Sequence, residues 1–239
     1  MRFLLLLVLF SCATPPAKQK TPQLVTLDHK YFKVHYDPKL RLARYVEYKL
    51  ERKNLLVKAG KRRNKFIPDP LLVKSGGPFV TTKEYSHTGY DRGHLAPSAD
   101  FTFSQEANDL TFVMSNIAPQ TPLLNRGVWK NLEEQVRFWA CGEEKLTIIT
   151  GPIFHGNDPK LPSGLTIPQR FFKIVIDETP PRKTIAFIHH QKDPKTTMPY
   201  REFPVSEVER QAGITFPVEF PEGSGKWKSE DCLPGTRRK

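Results

Sequence analysis

The sequence is poor in cysteine, in acidic residues and in long apolar runs. Its 239 residues hold three cysteines and no CxxC pair, which excludes a zinc ribbon and a dense disulfide framework. With Cys12 in an N-terminal signal, Cys141 and Cys232 remain. Their spacing alone leaves a bridge between them and two separate thiols equally open. Asp and Glu number 25 against 37 Lys and Arg, a formal net charge of +12. That surplus argues against dedicated handling of cationic substrates and leaves polyanions as partners: nucleic acid, an anionic membrane surface or an acidic polysaccharide. The apolar run 3–10 is too short for a hydrocarbon core that needs about 20 residues. No internal repeat is visible. Apolar residues still make up 38% and aromatics 11%, enough to build a core and to exclude a disordered chain.

Arg2, the apolar run and Ser11-Cys12-Ala13 read as an export signal over residues 1–12. Leu9-Phe10-Ser11-Cys12 resembles a lipobox, which implies lipid on the Cys12 sulfur and a membrane contact through that anchor. Ordinary cleavage after Ala13 is the rival. Residues 13–25 read as a flexible tether and residues 26–239 as one domain. The expected location is outside the cytoplasm: periplasmic, envelope-anchored or extracellular.

Hydrophobic spacing predicts strands over 31–36 and 42–50, a basic loop over 60–70 and a break at 75–78. A short helix should start after Ser104 as N-cap, and 111–115 shows a strand pattern. The clearest helix runs over 125–140, closed by Gly142, with Val128, Leu132, Val136 and Trp139 on one stripe. A strand is expected at 146–150, a hairpin from 171–176 and 184–189 joined through Pro180-Pro181, and a last helix at 206–211. The pattern predicts an α+β fold with a mixed or antiparallel sheet core.

Three segments carry candidate chemistry. Asp91-Arg92-Gly93-His94 sets a cation two residues before an imidazole, able to place a phosphate near a base. Ser115-Asn116-Ile117-Ala118-Pro119-Gln120 follows, then Leu124-Asn125-Arg126-Gly127-Val128-Trp129, with Glu133 eight residues beyond Asn125. Together these resemble the DNA/RNA non-specific endonucleases, the ββα-metal nucleases that include endonuclease G. The resemblance implies a ββα-metal motif carrying the site and hydrolysis of DNA and RNA to 5′-phosphorylated products. It further implies His94 as general base, Asn125 as the direct protein ligand of Mg²⁺, with Mn²⁺ or another divalent cation as substitute, and Glu133 acting on the metal through water. Arg92 and Arg63 would hold phosphate, although adjacent Arg62 leaves that assignment open by one residue. Asn116 would position the site beside His94, and a homodimer is compatible with the resemblance. Arg126 stands where the family often has Gln.

Each residue also has a plainer reading. Asn125 could cap the helix it begins, Glu133 with Glu134 could form a solvated face, and Trp129 belongs to the core. Asp91 reads as holding its loop. His189-His190 and His155 read as structural. Between Lys30 and Lys65 stand 13 Lys or Arg and three acids, so most of the positive surplus leads into the arginine pair. The rival function is a basic surface protein that binds nucleic acid or envelope polyanions without cleaving them.

Overall fold

The computed structural model describes residues 23–194, 200–223 and 225–234. The export signal, the lipobox and most of the tether lie outside the described residues. The first strand already begins at Val25, one residue inside the expected tether.

Six strands form one antiparallel sheet: β1 (Val25–Asp28), β2 (Phe32–Asp37), β3 (Leu42–Glu51), β6 (Lys145–Ile153), β7 (Arg170–Asp177) and β8 (Lys183–His190), paired in that order. A separate antiparallel pair joins β4 (Asp91–His94) to β5 (Ile117–Gln120). The helices are α1 (Arg52–Leu55), α2 (Pro70–Ser75), α3 (Gln105–Leu110), α4 (Pro122–Asn125), α5 (Val128–Glu143) and α6 (Val205–Ala212).

Strand alternation gives the large sheet two cores. On one face Val46, Tyr48, Ile148, Phe171, Val175 and Phe187 pack with the α5 residues Val128, Leu132, Val136 and Trp139. On the other face Tyr45, Ile149, Phe172, Ile174 and Ile176 meet Val208 and Ala212 of α6. The expected α5 stripe is thus wholly buried, and Trp129 beside it is fully buried as well.

Three local expectations change. Residues 111–115 form no strand: after a turn, a 3-10 helix covers Met114–Asn116, and the strand begins at Ile117. The helix expected over 125–140 is two helices. α4 starts at the cap Thr121, whose hydroxyl accepts from Leu124 N, and ends at Asn125, whereas Gly127 caps α5 without a side chain. Asn125 therefore terminates a helix instead of beginning one. Gly142 does not close α5 but lies within it. A Cβ there would stand 2.5 Å from the Lys228 carbonyl oxygen, so glycine is required by the C-terminal strap crossing it. Cys141 and Cys232 are bonded, which resolves the pairing left open by spacing. Trp227 on Trp139 at 5.1 Å and Glu230 N donating to Phe138 O further fix the strap.

Candidate active site

The β4–β5 pair and the α4–α5 helices form a ββα unit, and its strand register aligns the motifs. Asp91 pairs with Gln120, Gly93 with Ala118 and His94 with Ile117. Gly93 is required by close packing: a Cβ would fall 2.2 Å from Gln120 Oε1. The Gln120 carboxamide is fully buried there, and neither of its polar atoms has a partner among the described residues.

Asn116 pins the chain that leaves His94. Its Oδ1 accepts from Ala96 N at 2.9 Å, and its Nδ2 donates to Ala96 O and Thr111 O. Asn116 is fully buried, and its own carbonyl accepts from Leu95 N at 3.0 Å, so its contacts fall on the two residues after His94. Ser115 donates to Asp69, which also meets His29 Nε2 at 2.9 Å, so this turn is braced against the start of the domain.

His94 sits in an aromatic cradle, with Phe112 edge-on at 4.8 Å and Phe66 at 5.5 Å. Each ring carries an arginine on a face: Arg92 lies 4.4 Å from the Phe66 centroid and Arg62 lies 5.1 Å from that of Phe112. Burial, and then the charge of Arg62, hold the imidazole down to about 3. His94 is therefore neutral at pH 7, with its Nε2 buried and unpartnered among the described residues.

The upstream arginine beside His94 is Arg62, not Arg63. Arg62 donates to Asn64 Oδ1 at 2.7 Å and to Ser98 Oγ at 2.6 Å, and its charge acts on both His94 and Glu133. Arg63 turns outward to an exposed ion pair with Asp109 at 3.1 Å. Neighbouring side chains diverge on an extended loop, so the contacts of Arg62 and Arg63 differ although the residues are adjacent.

Asn125 Nδ2 donates to Asp91 Oδ2 at 2.8 Å, and Arg126 grips the same carboxylate with Nε at 2.8 Å and Nη2 at 2.6 Å. Burial would raise the Asp91 carboxyl, but hydrogen bonds from Arg126 and Asn125, with the charges of Arg126 and Arg92, hold it below its usual range. Glu133 turns inward while Glu134 is exposed. Burial pushes the Glu133 carboxyl up to about 7 against the pull of Lys173 and Arg137; Asp100 adds to the rise and Arg62 opposes it. Arg137 is itself paired with Asp100 at 3.0 Å, and Asp100 accepts from Tyr48 at 2.7 Å. Lys173, buried on β7, lies 4.8 Å from the Trp129 ring centroid.

Among the described residues no three His, Cys, Asp or Glu side chains gather into a metal cage. A cation in this cleft would rest on an amide oxygen, a carboxylate and water. The Asn125 Oδ1 left over by Asp91 and the burial-stressed Glu133 carboxylate fit such a hard divalent ion. Sequence reasoning missed the orienting role of Asp91, although it lies in the Asp91–His94 string, and the buried Lys173, which carries no motif.

The family model for DNA/RNA non-specific endonucleases matches residues 15–222. A nuclease of Nostoc sp. is 33% identical over 217 residues, covering 86% of this chain and 77% of that protein. Human mitochondrial endonuclease G is 29% identical over 229 residues, covering 89% of this chain and 76% of that protein. Among solved structures, the complex of EndoG with EndoGI is similar at a TM-score of 0.71 and 26% identity, covering 82% of this chain and 87% of that one.

Proposed function

The chain belongs to the DNA/RNA non-specific endonuclease family and is a nuclease, and from that premise we propose a Mg²⁺-dependent hydrolase that leaves 5′-phosphorylated ends, with His94 as its general base. The observation that carries this reading is the neutral imidazole packed against Phe66 and Phe112, each of which has an arginine over its ring.

A phosphodiester anion set between Arg92 and Arg62 would be held by charge-assisted hydrogen bonds beside His94. The neutral imidazole can then take a proton from an attacking water. The same phosphate charge would stabilise the imidazolium that forms, offsetting the burial that disfavours it. Asn125 and, through water, Glu133 would hold Mg²⁺ or Mn²⁺, which when bound stabilises charge on the phosphoryl and leaving oxygens. Asn116 and Asp91 keep His94 and Asn125 in register. Lys173 and Arg137 keep Glu133 from rising further, favouring its carboxylate form.

The non-catalytic binding protein that the charge alone allowed is disfavoured by this arrangement, because binding needs neither a neutral buried imidazole nor an oriented amide oxygen. Export is supported by the N-terminal segment and by the Cys141–Cys232 bond, which suits an oxidising compartment. Lipid attachment at Cys12 is the reading that Cys12→Ser tests by membrane fractionation, since loss of the anchor would release the protein.

End-group analysis tests the chemistry. After cleavage of a labelled oligonucleotide in Mg²⁺, fragments should accept ligase directly, as 5′-phosphates do. Fragments that need a kinase first would contradict the proposed attack geometry.

A further inference from the structure

Around Arg62 lies an open recess of about 600 Å³ lined also by Lys58, Lys61, Ser98, Thr102 and Asn108. We propose that it is a subsite for the nucleotide flanking the scissile phosphate, whose own phosphate lies between Lys58 and Lys61; this rests on the nuclease reading above.

Three observations point to such a ligand. The first is rigidity. Gly60 N donates to Thr102 O at 2.7 Å, and Lys61 exchanges 3.0 Å hydrogen bonds with the Gln105 carboxamide through both its N and its O. A Cβ on Gly60 would stand 2.6 Å from Ser104 O, so the loop is seated directly on the start of α3. Lysines leaving so fixed a backbone lose less freedom on binding an anion.

The second is the fate of the other cations in this basic segment. Lys30, Arg41, Arg44, Arg52, Lys53 and Arg63 are each in an ion pair with Glu or Asp. Among the described residues no ion pair engages Lys58, Lys61 or Arg62. Lys33, Lys39, Lys49 and Lys65 also have no ion pair among the described residues, but Lys33 and Lys49 line a cavity shared with Asp28, Glu47, Glu51 and Glu178, whereas no acid lines the recess of Lys58, Lys61 and Arg62.

The third is Asn108. It is fully buried, its Nδ2 is tied to Ser98 O at 2.7 Å, and its Oδ1 has no partner among the described residues. A phosphodiester group has no donor for that acceptor, whereas the base and sugar of a nucleotide bring amine and hydroxyl donors along with it. Arg62 links the recess to the candidate site: it lines the recess, and its charge acts on His94. A strand reacting at His94 would pass it into the recess.

The test is binding of a 5′-fluorescein-labelled 12-nucleotide single-stranded DNA to the full chain, by anisotropy in EDTA over a salt series. Releasing one phosphate contact lowers the slope of log K against log salt by about 0.7 for a single strand. Lys58→Ala/Lys61→Ala should bind more weakly with a slope smaller by that amount, and Lys33→Ala/Lys49→Ala, an equal charge change on the β2–β3 surface, should keep the parent slope. An unchanged slope in the first variant, an equal drop in both, or no binding by the parent would overturn the subsite. Parent cleavage of plasmid in Mg²⁺ is scored separately, so loss of the subsite and loss of the nuclease reading are told apart.

Discussion

Asp91 accepts a 2.8 Å hydrogen bond from the Asn125 amide nitrogen, across 34 residues of sequence, and so decides which atom of Asn125 is left over. An ionised carboxylate can only accept, so the nitrogen must face it and the amide oxygen is left for another partner, which we propose is the cation. The Arg126 fork locks the carboxylate from its other side. Arg126 therefore adds more than charge where the family often has Gln.

Asp91→Ala should weaken Mn²⁺ binding about tenfold, the lower end of what losing a ligand's orienting partner costs. Electron paramagnetic resonance titration of free Mn²⁺ measures this without reference to turnover. Unchanged affinity would mean that Asp91 does not orient the ligand.

Glu133 gives a pH dependence of definite sign. Its carboxyl is raised to about 7, so protons and the divalent ion compete there, and metal affinity should fall as pH drops through 7, by up to about tenfold per unit. Stability runs the other way. A raised carboxyl contributes stability that is present below the ordinary carboxylate range and lost as pH rises through 7. Glu133→Gln should therefore raise the melting temperature in EDTA at pH 8 and have little effect at pH 5. His94, depressed to about 3, contributes stability present above its usual value near 6.5 and lost as pH falls, so both proteins weaken alike in acid. Equal melting temperatures for parent and Glu133→Gln at pH 8 would contradict the burial of this carboxylate.

Much of this was legible in the sequence where local rules apply. The α5 stripe, the Ser104 cap and the β7–β8 hairpin follow from apolar period and turn chemistry, and Ser104 Oγ does accept from Ala107 N. The misread segments are those where tertiary contact overrides local pattern. Residues 111–115 look like a strand, but Asn116 draws the Thr111 carbonyl to its side chain and the chain turns. Gly142 looked like a helix stop because its reason, the Lys228 carbonyl, is distant in sequence. At the candidate site, the motifs pointed to His94, Asn116, Asn125 and Glu133, while the place of Arg62 beside His94 and the nearness of Lys173 to Glu133 depended on side-chain direction.

Gly93→Ala should be costly for its size. The new methyl would collide with the buried Gln120 side chain at 2.2 Å, and such overpacking costs about 1–3 kcal/mol. Urea denaturation should show the loss, and activity should fall with it, because Arg92 and His94 flank the displaced residue. A variant with parental midpoint and parental activity would show that Gln120 moves aside freely.

The Cys141–Cys232 bond closes a loop of 91 residues in sequence separation. Chain entropy assigns such a loop about 4.6 kcal/mol, so Cys141→Ala/Cys232→Ala should unfold at markedly lower urea. An unchanged midpoint would show that the Trp227–Trp139 contact and the strap's hydrogen bonds suffice.

We propose that His94, packed against Phe66 and Phe112, serves as the base for cleavage of nucleic acid backbones in the presence of a divalent cation. The most direct measurement is cleavage of supercoiled plasmid and of RNA by the parent and by His94→Ala, in Mg²⁺ and in EDTA. Loss of the base should cost at least about a hundredfold in rate, and EDTA should stop the parent on both substrates. Intact substrate with the parent in Mg²⁺, or undiminished cleavage by His94→Ala, would contradict it.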